Sequence, residues 1–339
     1  MGVDISDLVE GKVCELGDFC GKAIAIDGYN TLYQFLSSIR GPDGTPLKDS
    51  KGRITSHLSG AFQRTSNLLE AGIKPVFVFD GKPNPLKIGT LKLRKERKEK
   101  AKEQWEEALR VGDLETARIK AQQTSRLTRE MVEQAVELLA RMGIPSVQAP
   151  EEGEAQASHM ARKGDVYAVA SQDFDSLLFG APRLIRNLTL AGRRKMPRRN
   201  VYVDVKPEVM LLDDVLAKLG FGHEQLVDLG VLVGTDFNEG VKGIGPKKAL
   251  KLLNEYETGK KAIEAKGLDV PGFRNVRRIF LEPNVTDDYG LEWGSMDREG
   301  VESLLCDEFE FTRSRIQSTL DKVEEGQRKR AQKSLDSWF

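Results

Sequence analysis

An α/β fold with a mostly parallel central sheet and helices on both faces is predicted by three features of the sequence. Apolar runs that do not alternate with polar residues end in an acid. Helical periodicities lie between these runs. Two strongly basic insertions interrupt the rhythm. The first run is Lys-Ala-Ile-Ala-Ile-Asp at 22–27, the second Pro-Val-Phe-Val-Phe-Asp at 75–80 and the third Val-Tyr-Ala-Val-Ala-Ser-Gln-Asp at 166–173. Continuous β-branched and aromatic runs belong to strands buried on both faces, as in parallel sheets. Strands separated by helical segments give the doubly wound arrangement.

Between the first two strands, residues 55–71 start near Thr55 or Ser56 and carry Leu58, Phe62, Leu68 and Leu69, predicting a helix. Residues 82–129 hold 14 Lys/Arg and seven Asp/Glu, a net charge of +7, with a helix-breaking Gly112-Asp113. So polar a stretch buries little and predicts a projecting helical pair or arch. Residues 128–142 repeat Met131, Val132, Ala135, Leu138, Leu139 and Met142 at steps of three and four, which predicts an amphipathic helix. Residues 183–199 contain seven Arg/Lys and no acid, again +7, and predict a basic hairpin or loop between strands. After residue 210 the pattern is mostly helical, and residues 322–339 are polar until the last few.

The 339 residues suffice for one large domain or two small ones at about 150 residues each. Lys+Arg (52) balance Asp+Glu (52), which excludes a globally basic coat protein and an acidic tail protein. Two basic stretches in a chain of zero net charge nonetheless point to a polyanionic partner. Three cysteines cannot build a disulfide framework, and three scattered histidines leave any catalysis to carboxylate, Lys or Arg. No apolar run approaches the roughly 18–20 residues of a membrane span, and no signal peptide opens the chain, so an intracellular protein without a membrane partner is expected. Met1-Gly2-Val3-Asp4-Ile5-Ser6 fits a myristoylation pattern, but the pattern is short.

Asp27, Asp80 and Asp173 are predicted at the carboxyl ends of strands, the edge of an open α/β sheet where ligands bind. Asp175 follows two positions later, Glu152 and Glu154 open a helix, and Asp236 closes the apolar run Leu232-Val233-Gly234-Thr235. Two carboxylates 4 Å apart repel by about 4 kcal/mol at an effective dielectric of 20. A shared pocket therefore demands protonation or divalent cations, and all-oxygen ligands suit Mg²⁺ or Mn²⁺ rather than zinc. Acids at a helix start also serve as caps. The joint occurrence of acids at strand ends favours a metal site that hydrolyses a phosphodiester.

Residues 240–250 read Gly-Val-Lys-Gly-Ile-Gly-Pro-Lys-Lys-Ala-Leu. Gly240, Gly243 and Gly245 allow backbone N–H groups to approach a phosphate, and Lys242, Lys247 and Lys248 add charge. This is a helix-hairpin-helix signal for a duplex backbone without base specificity. At the C-terminus, Gln332, Leu335, Trp338 and Phe339 share one face of a short helical turn and suggest a peptide for a protein partner.

At this point the residues resemble a family. Val78-Phe79-Asp80-Gly81-Lys82-Pro83, Ala149 to Ala155, Ser171-Gln172-Asp173-Phe174-Asp175, Gly234-Thr235-Asp236-Phe237-Asn238 and Gly243-Ile244-Gly245-Pro246-Lys247 are similar, in order and over the full length, to the flap endonucleases. These are structure-specific 5′ nucleases of DNA replication and repair. The absence of a basic extension beyond the tail makes the chain look archaeal.

The resemblance implies Mg²⁺-dependent endonuclease activity at the base of 5′ flaps, with weaker 5′-3′ exonuclease activity. Asp80, Glu152 and Glu154 match the acids of one metal, Asp173, Asp175 and Asp236 those of a second, and Asp27 an acid acting through metal-bound water. Mn²⁺ is a substitute. Lys87 and Arg94 match a catalytic basic pair, and Tyr33 an aromatic that stacks on a base. Arg126 and Arg129 match arch residues, and Gly2 a free N-terminus close to the DNA. Gly240 to Lys248 resemble the hairpin that holds downstream duplex with K⁺. Gln332, Leu335, Trp338 and Phe339 match the sliding-clamp peptide.

Residues 1–325 would form one nuclease domain, with an N-terminal nuclease region at 1–98, the arch at 82–129, and an internal nuclease region at 115–258 containing the hairpin 234–250. A flexible tail would follow at 326–339. A monomer is expected, cytoplasmic if archaeal and nuclear otherwise. The rivals are a relative that cuts junctions or bubbles and a non-catalytic clamp adaptor; the intact acid set argues against the adaptor.

Overall fold

The apolar runs fold as strands of one seven-stranded sheet in a computed structural model that describes residues 2–41, 44–195 and 202–336. The strands are β1 (Lys12–Val13), β2 (Ala23–Asp27), β3 (Lys74–Phe79), β4 (Ser146–Gln148), β5 (Ala168–Ala170), β6 (Arg183–Arg186), β7 (Gly192–Lys195), β8 (Tyr202–Val205) and β9 (Glu208–Leu211). The sheet order is β1-β9-β6-β5-β2-β3-β4, parallel from β6 to β4, with β9 and β1 antiparallel at one edge. β7 and β8 pair separately as the basic hairpin, and residues 196–201 at its tip lie outside the described residues.

Helices cover both faces: α1 (Gly28–Ser38), α2 (Ser56–Glu70), α3 (Ile88–Arg110), α4 (Leu114–Gln123), α5 (Arg129–Arg141), α6 (Gly153–Lys163) and α7 (Asp175–Leu178). After the sheet come α8 (Leu212–Leu219), α9 (His223–Val233), α10 (Pro246–Tyr256), α11 (Gly259–Lys266), α12 (Phe273–Leu281), α13 (Arg298–Glu302) and α14 (Arg313–Asp336). The polar insertion forms the pair α3 and α4. Its break is where Gly112 takes a φ of 77° and the Asp113 side chain caps α4 at Thr116 N.

Alternate strand residues enter different cores, the period of two that a pleated strand imposes. Ile24, Ile26, Phe77 and Phe79 join the cluster with α1, α2, α5 and α14, whereas Ala25, Val76 and Val78 join the cluster with Ala157, Met160 and Ala161 of α6. Both faces are dry, which is why the strands do not alternate in sequence.

Two expectations about strands are corrected. The third strand ends at Ala170, so Asp173 lies in the loop beyond β5 rather than on it. The apolar run before Asp236 is the end of helix α9, not a strand. The expected tail boundary at residue 326 also falls inside α14. Ile316, Leu320 and Val323 are buried there, and the Arg330 guanidinium donates to the carbonyls of Leu69 (2.8 Å) and Glu70 at the C-terminus of α2, a favourable place for a cation. Gln332 is exposed on this helix, which also carries Leu335, while Trp338 and Phe339 lie outside the described residues.

His57 on α2 is fully buried, with Nε2 2.9 Å from Gln134 Oε1. Burial pushes its pKa down to about 4. Between that value and the unfolded pKa of about 6.5 the unfolded state binds the extra proton, so stability falls as pH falls through this window. About 2 kcal/mol of stability should be lost between pH 7 and pH 5 from this group. Denaturant titrations should show that loss reduced by this amount in His57→Gln; equal pH dependence in the two proteins would contradict it.

Candidate active site and its carboxylate cluster

Strand parity places the first acids. Asp27 continues the series Ala23 and Ala25, and Asp80 the series Val76 and Val78, so both face the N-terminus of α6. There the Gly153 N–H donates to Asp80 Oδ1 at 2.7 Å, and Glu152 and Glu154 flank it. The turn after β3 needs Gly81: a Cβ there would stand 2.1 Å from the Ala149 carbonyl oxygen and 2.3 Å from that of Pro150. Gly81→Ala should therefore displace Asp80 and lower divalent-ion affinity, measurable by calorimetry.

The other acids arrive from separate elements. Asp27 caps α1 at Asn30 N (3.0 Å), and Asn30 Nδ2 donates to Asp173 Oδ2 at 3.0 Å. Asp175 opens α7 and accepts from the Val3 N–H at 2.7 Å. Gly2 is adjacent, since a Cβ on it would fall 2.4 Å from Asp175 Oδ1. Ser176 Oγ donates to Glu154 Oε1 at 2.9 Å. Asp236 follows α9 and holds an ion pair to Arg94 NH2 at 2.5 Å. Asn30, Val3 and Ser176 were not legible as site residues, although Asn30 stands three residues after Asp27, the spacing of a capped helix start.

All seven predicted acids are brought into electrostatic contact. Burial, then Asp80, pushes Asp27 up to about 8. Burial raises Asp175 to about 7 against the pull of the Val3 N–H. Burial followed by Asp175, Asp27 and Asp173 puts Glu154 well above the carboxylate range, and burial also raises Asp80 and Glu152. The pocket is thus short of positive charge and rich in hard oxygen donors, the chemistry a divalent cation satisfies.

Charge interactions run both within and across the expected groups 80/152/154 and 173/175/236. Glu154 is raised by Asp175, Asp27 and Asp173, while Asp236 acts on Asp80, Glu152 and Asp175, and Asp173 also acts on Asp175. Among the described residues no three acids are arranged to hold one ion. Lys87 ion-pairs with Glu152 and lies 3.7 Å from Asp236 Oδ2. Burial works against its charge, but Glu152, Asp236 and Asp80 outweigh it and hold the ammonium protonated beyond the ordinary lysine range.

Above the cluster, Lys98 Nζ lies 4.6 Å from the Tyr33 ring centroid, and Arg94 and Arg126 act on Lys98. Tyr33 and Arg126 thus both lie near Lys98 of α3. Arg129 is exposed and paired with Glu133 at 2.7 Å. The glycine hairpin joins α9 to α10: Gly240 and Gly243 take φ of 70° and 82°, and Gly245 precedes Pro246 at the start of α10. Lys242 is exposed, Lys247 Nζ pairs with Asp7 at 3.2 Å, and Lys248 Nζ donates to the Gly243 carbonyl at 2.8 Å.

Residues 5–101 match the XPG N-terminal domain and residues 143–236 the XPG I-region. Fold and acid cluster together define a nuclease of the XPG class. Flap endonuclease 1 of Pyrococcus horikoshii is 53% identical over 340 residues, spanning 100% of this chain and 98% of its own. The solved flap endonuclease-1 from Methanococcus jannaschii superposes with a TM-score of 0.75 at 44% identity, covering 96% of this chain and 98% of that one. The catalytic core of Rad2 in complex with DNA substrate has a TM-score of 0.69 at 25% identity, covering 92% and 96%.

The chain belongs to the flap endonuclease family. It is a nuclease, a hydrolase of phosphodiester bonds that acts on DNA, in a metal-dependent family. Among the described residues no helix is long and apolar enough to cross a membrane.

Proposed function

We propose that the enzyme hydrolyses one phosphodiester at the base of a 5′ DNA flap, with weaker 5′-3′ exonuclease activity, in Okazaki-fragment maturation and repair. The observation that carries this reading is the seven-carboxylate cluster at the carboxyl edge of the sheet, capped by a helical pair whose base presents Lys87 and Arg94. Asp80, Glu152, Glu154, Asp173, Asp175 and Asp236 would hold two Mg²⁺ or Mn²⁺ ions, with Asp27 acting through water. Such ions supply an activated water and charge neutralisation at the phosphate. Water adds to phosphorus and the bond to the 3′-oxygen breaks, leaving a 5′-phosphate and a 3′-hydroxyl.

Lys87 and Arg94 orient the scissile phosphate and stabilise its developing charge. Tyr33 stacks on a neighbouring base, and Arg126 and Arg129 line the path of the single strand between α3 and α4. Gly2 and the chain start lie beside the DNA. Gly240, Lys242, Gly243, Gly245, Lys247 and Lys248 hold the downstream duplex by its backbone, with K⁺ at the turn. Gln332, Leu335, Trp338 and Phe339 dock on a sliding clamp, and the enzyme works as a monomer.

The test uses untagged protein and an end-labelled double-flap DNA, with single-strand, duplex and four-way-junction controls, each in Mg²⁺ and in EDTA. Mg²⁺-dependent cutting at the flap base, far faster than on the controls, is expected. Tight flap binding without turnover in Mg²⁺ or Mn²⁺ would contradict the reading. Deleting residues 332–339 should abolish stimulation by the clamp and leave intrinsic cleavage nearly unchanged; a truncated enzyme that the clamp still stimulates would refute the tail assignment.

A further inference from the structure

Lys87, Thr90 and Arg94 recur at steps of three and four, so they share one face at the start of α3. All three meet Asp236. Lys87 Nζ ion-pairs with Glu152 and lies 3.7 Å from Asp236 Oδ2. Arg94 NH2 lies 2.5 Å from Asp236 Oδ1, and Thr90 Oγ1 donates to the Asp236 carbonyl oxygen at 2.9 Å. Lys87 Nζ also sits 5.1 Å from the Phe237 ring centroid. The contacts therefore include the backbone of the Asp236 loop as well as its carboxylate. They engage two acids assigned to different ions, Glu152 and Asp236, and join them through one ammonium group.

We propose that this helix face is a counter-cation latch: without divalent ions it neutralises Glu152 and Asp236, and metal entry displaces it, so that ion loading and release of the base of the helical pair are coupled. The inference rests on the reading of these acids as metal holders. An ammonium group and a divalent ion compete for the same carboxylate oxygens, and the coupling is reciprocal: loosening the latch strengthens ion binding by the factor with which ions loosen the latch. Release of the latch turns the Lys87 ammonium and the Arg94 guanidinium from resting partners of acids into donors for a phosphate. The same two cations thus serve in turn the metal-free pocket and the substrate. Thr90 is a positioning residue in this scheme, because its hydroxyl holds the helix register over Asp236 without carrying charge.

The test titrates the full-length chain, without DNA, with Mn²⁺ by calorimetry at fixed pH and ionic strength. Thr90→Val keeps every charge and removes only the hydroxyl clamp. It should tighten Mn²⁺ binding roughly threefold, the scale of one neutral hydrogen bond, and Lys87→Met should tighten it by about tenfold or more. Amide hydrogen exchange over residues 88–95 of the wild type should accelerate when Mn²⁺ is added. Tightening in Lys87→Met alone, with Thr90→Val unchanged and exchange over 88–95 unaffected, is a plain charge effect and overturns the latch. Absence of Mn²⁺ binding in all three proteins would overturn the metal-holding role of the acids, and the latch with it.

Discussion

Asp173→Ala should lower single-turnover cleavage of a flap substrate by about 10³-fold or more, equivalent to roughly 4 kcal/mol of transition-state stabilisation, while flap binding measured in EDTA stays within about twofold. Asp173 lies in the loop beyond β5, where Asn30 Nδ2 donates to one oxygen and Ser171 Oγ accepts from its backbone N–H at 3.2 Å. Its charge acts on Asp27, Glu154 and Asp175. Removing one of seven gathered acids relieves repulsion, so the metal-free variant should be no less stable than the wild type. That thermal-melting control separates loss of an ion ligand from loss of the fold. Cleavage within tenfold of the wild type would remove Asp173 from the metal site.

Lys87→Ala should reduce the single-turnover rate by about 10²- to 10³-fold, the usual scale for removing one preorganised donor of charge stabilisation. The ammonium stands on the 3-10 turn Pro85–Lys87 beside Glu152 and Asp236, the acids from which ion loading would release it toward the phosphate. A lysine ammonium carries a full positive charge at neutral pH. The loss should appear in the rate at saturating DNA and not in affinity, since one phosphate contact among many contributes little to binding. An effect confined to affinity would place Lys87 among the duplex-holding residues instead.

The acids were legible because strand ends are local features. An apolar run followed by Asp marks a strand edge, and parity alone carries Asp27 and Asp80 to the face of α6. The +7 stretch at 82–129 could bury little and became the pair α3 and α4, with its break at Gly112-Asp113. Asp173 and Asp236 were found as acids but assigned to the wrong local structure. Ser-Gln-Asp after β5 continues the apolar run without belonging to the ladder, and Leu-Val before Asp236 is a buried helix whose short apolar stretch reads equally as a strand. Helix α14 was underestimated because its surface is mostly polar; its stability comes from Ile316, Leu320 and Val323 on one face and from Arg330 against α2.

By itself the sequence determined the α/β class, the strand-end acids, the basic insertions and the glycine hairpin, all of which depend on residue type and short-range spacing. Only the tertiary structure decided which groups meet. The Val3 N–H on Asp175 spans 172 residues, Asn30 on Asp173 spans 143 and Thr90 on Asp236 spans 146. No local periodicity encodes such pairs. Whether buried carboxylates are neutralised by protons, by Lys87 or by ions is likewise set by burial and by charges from distant segments, which exist only once the chain has folded.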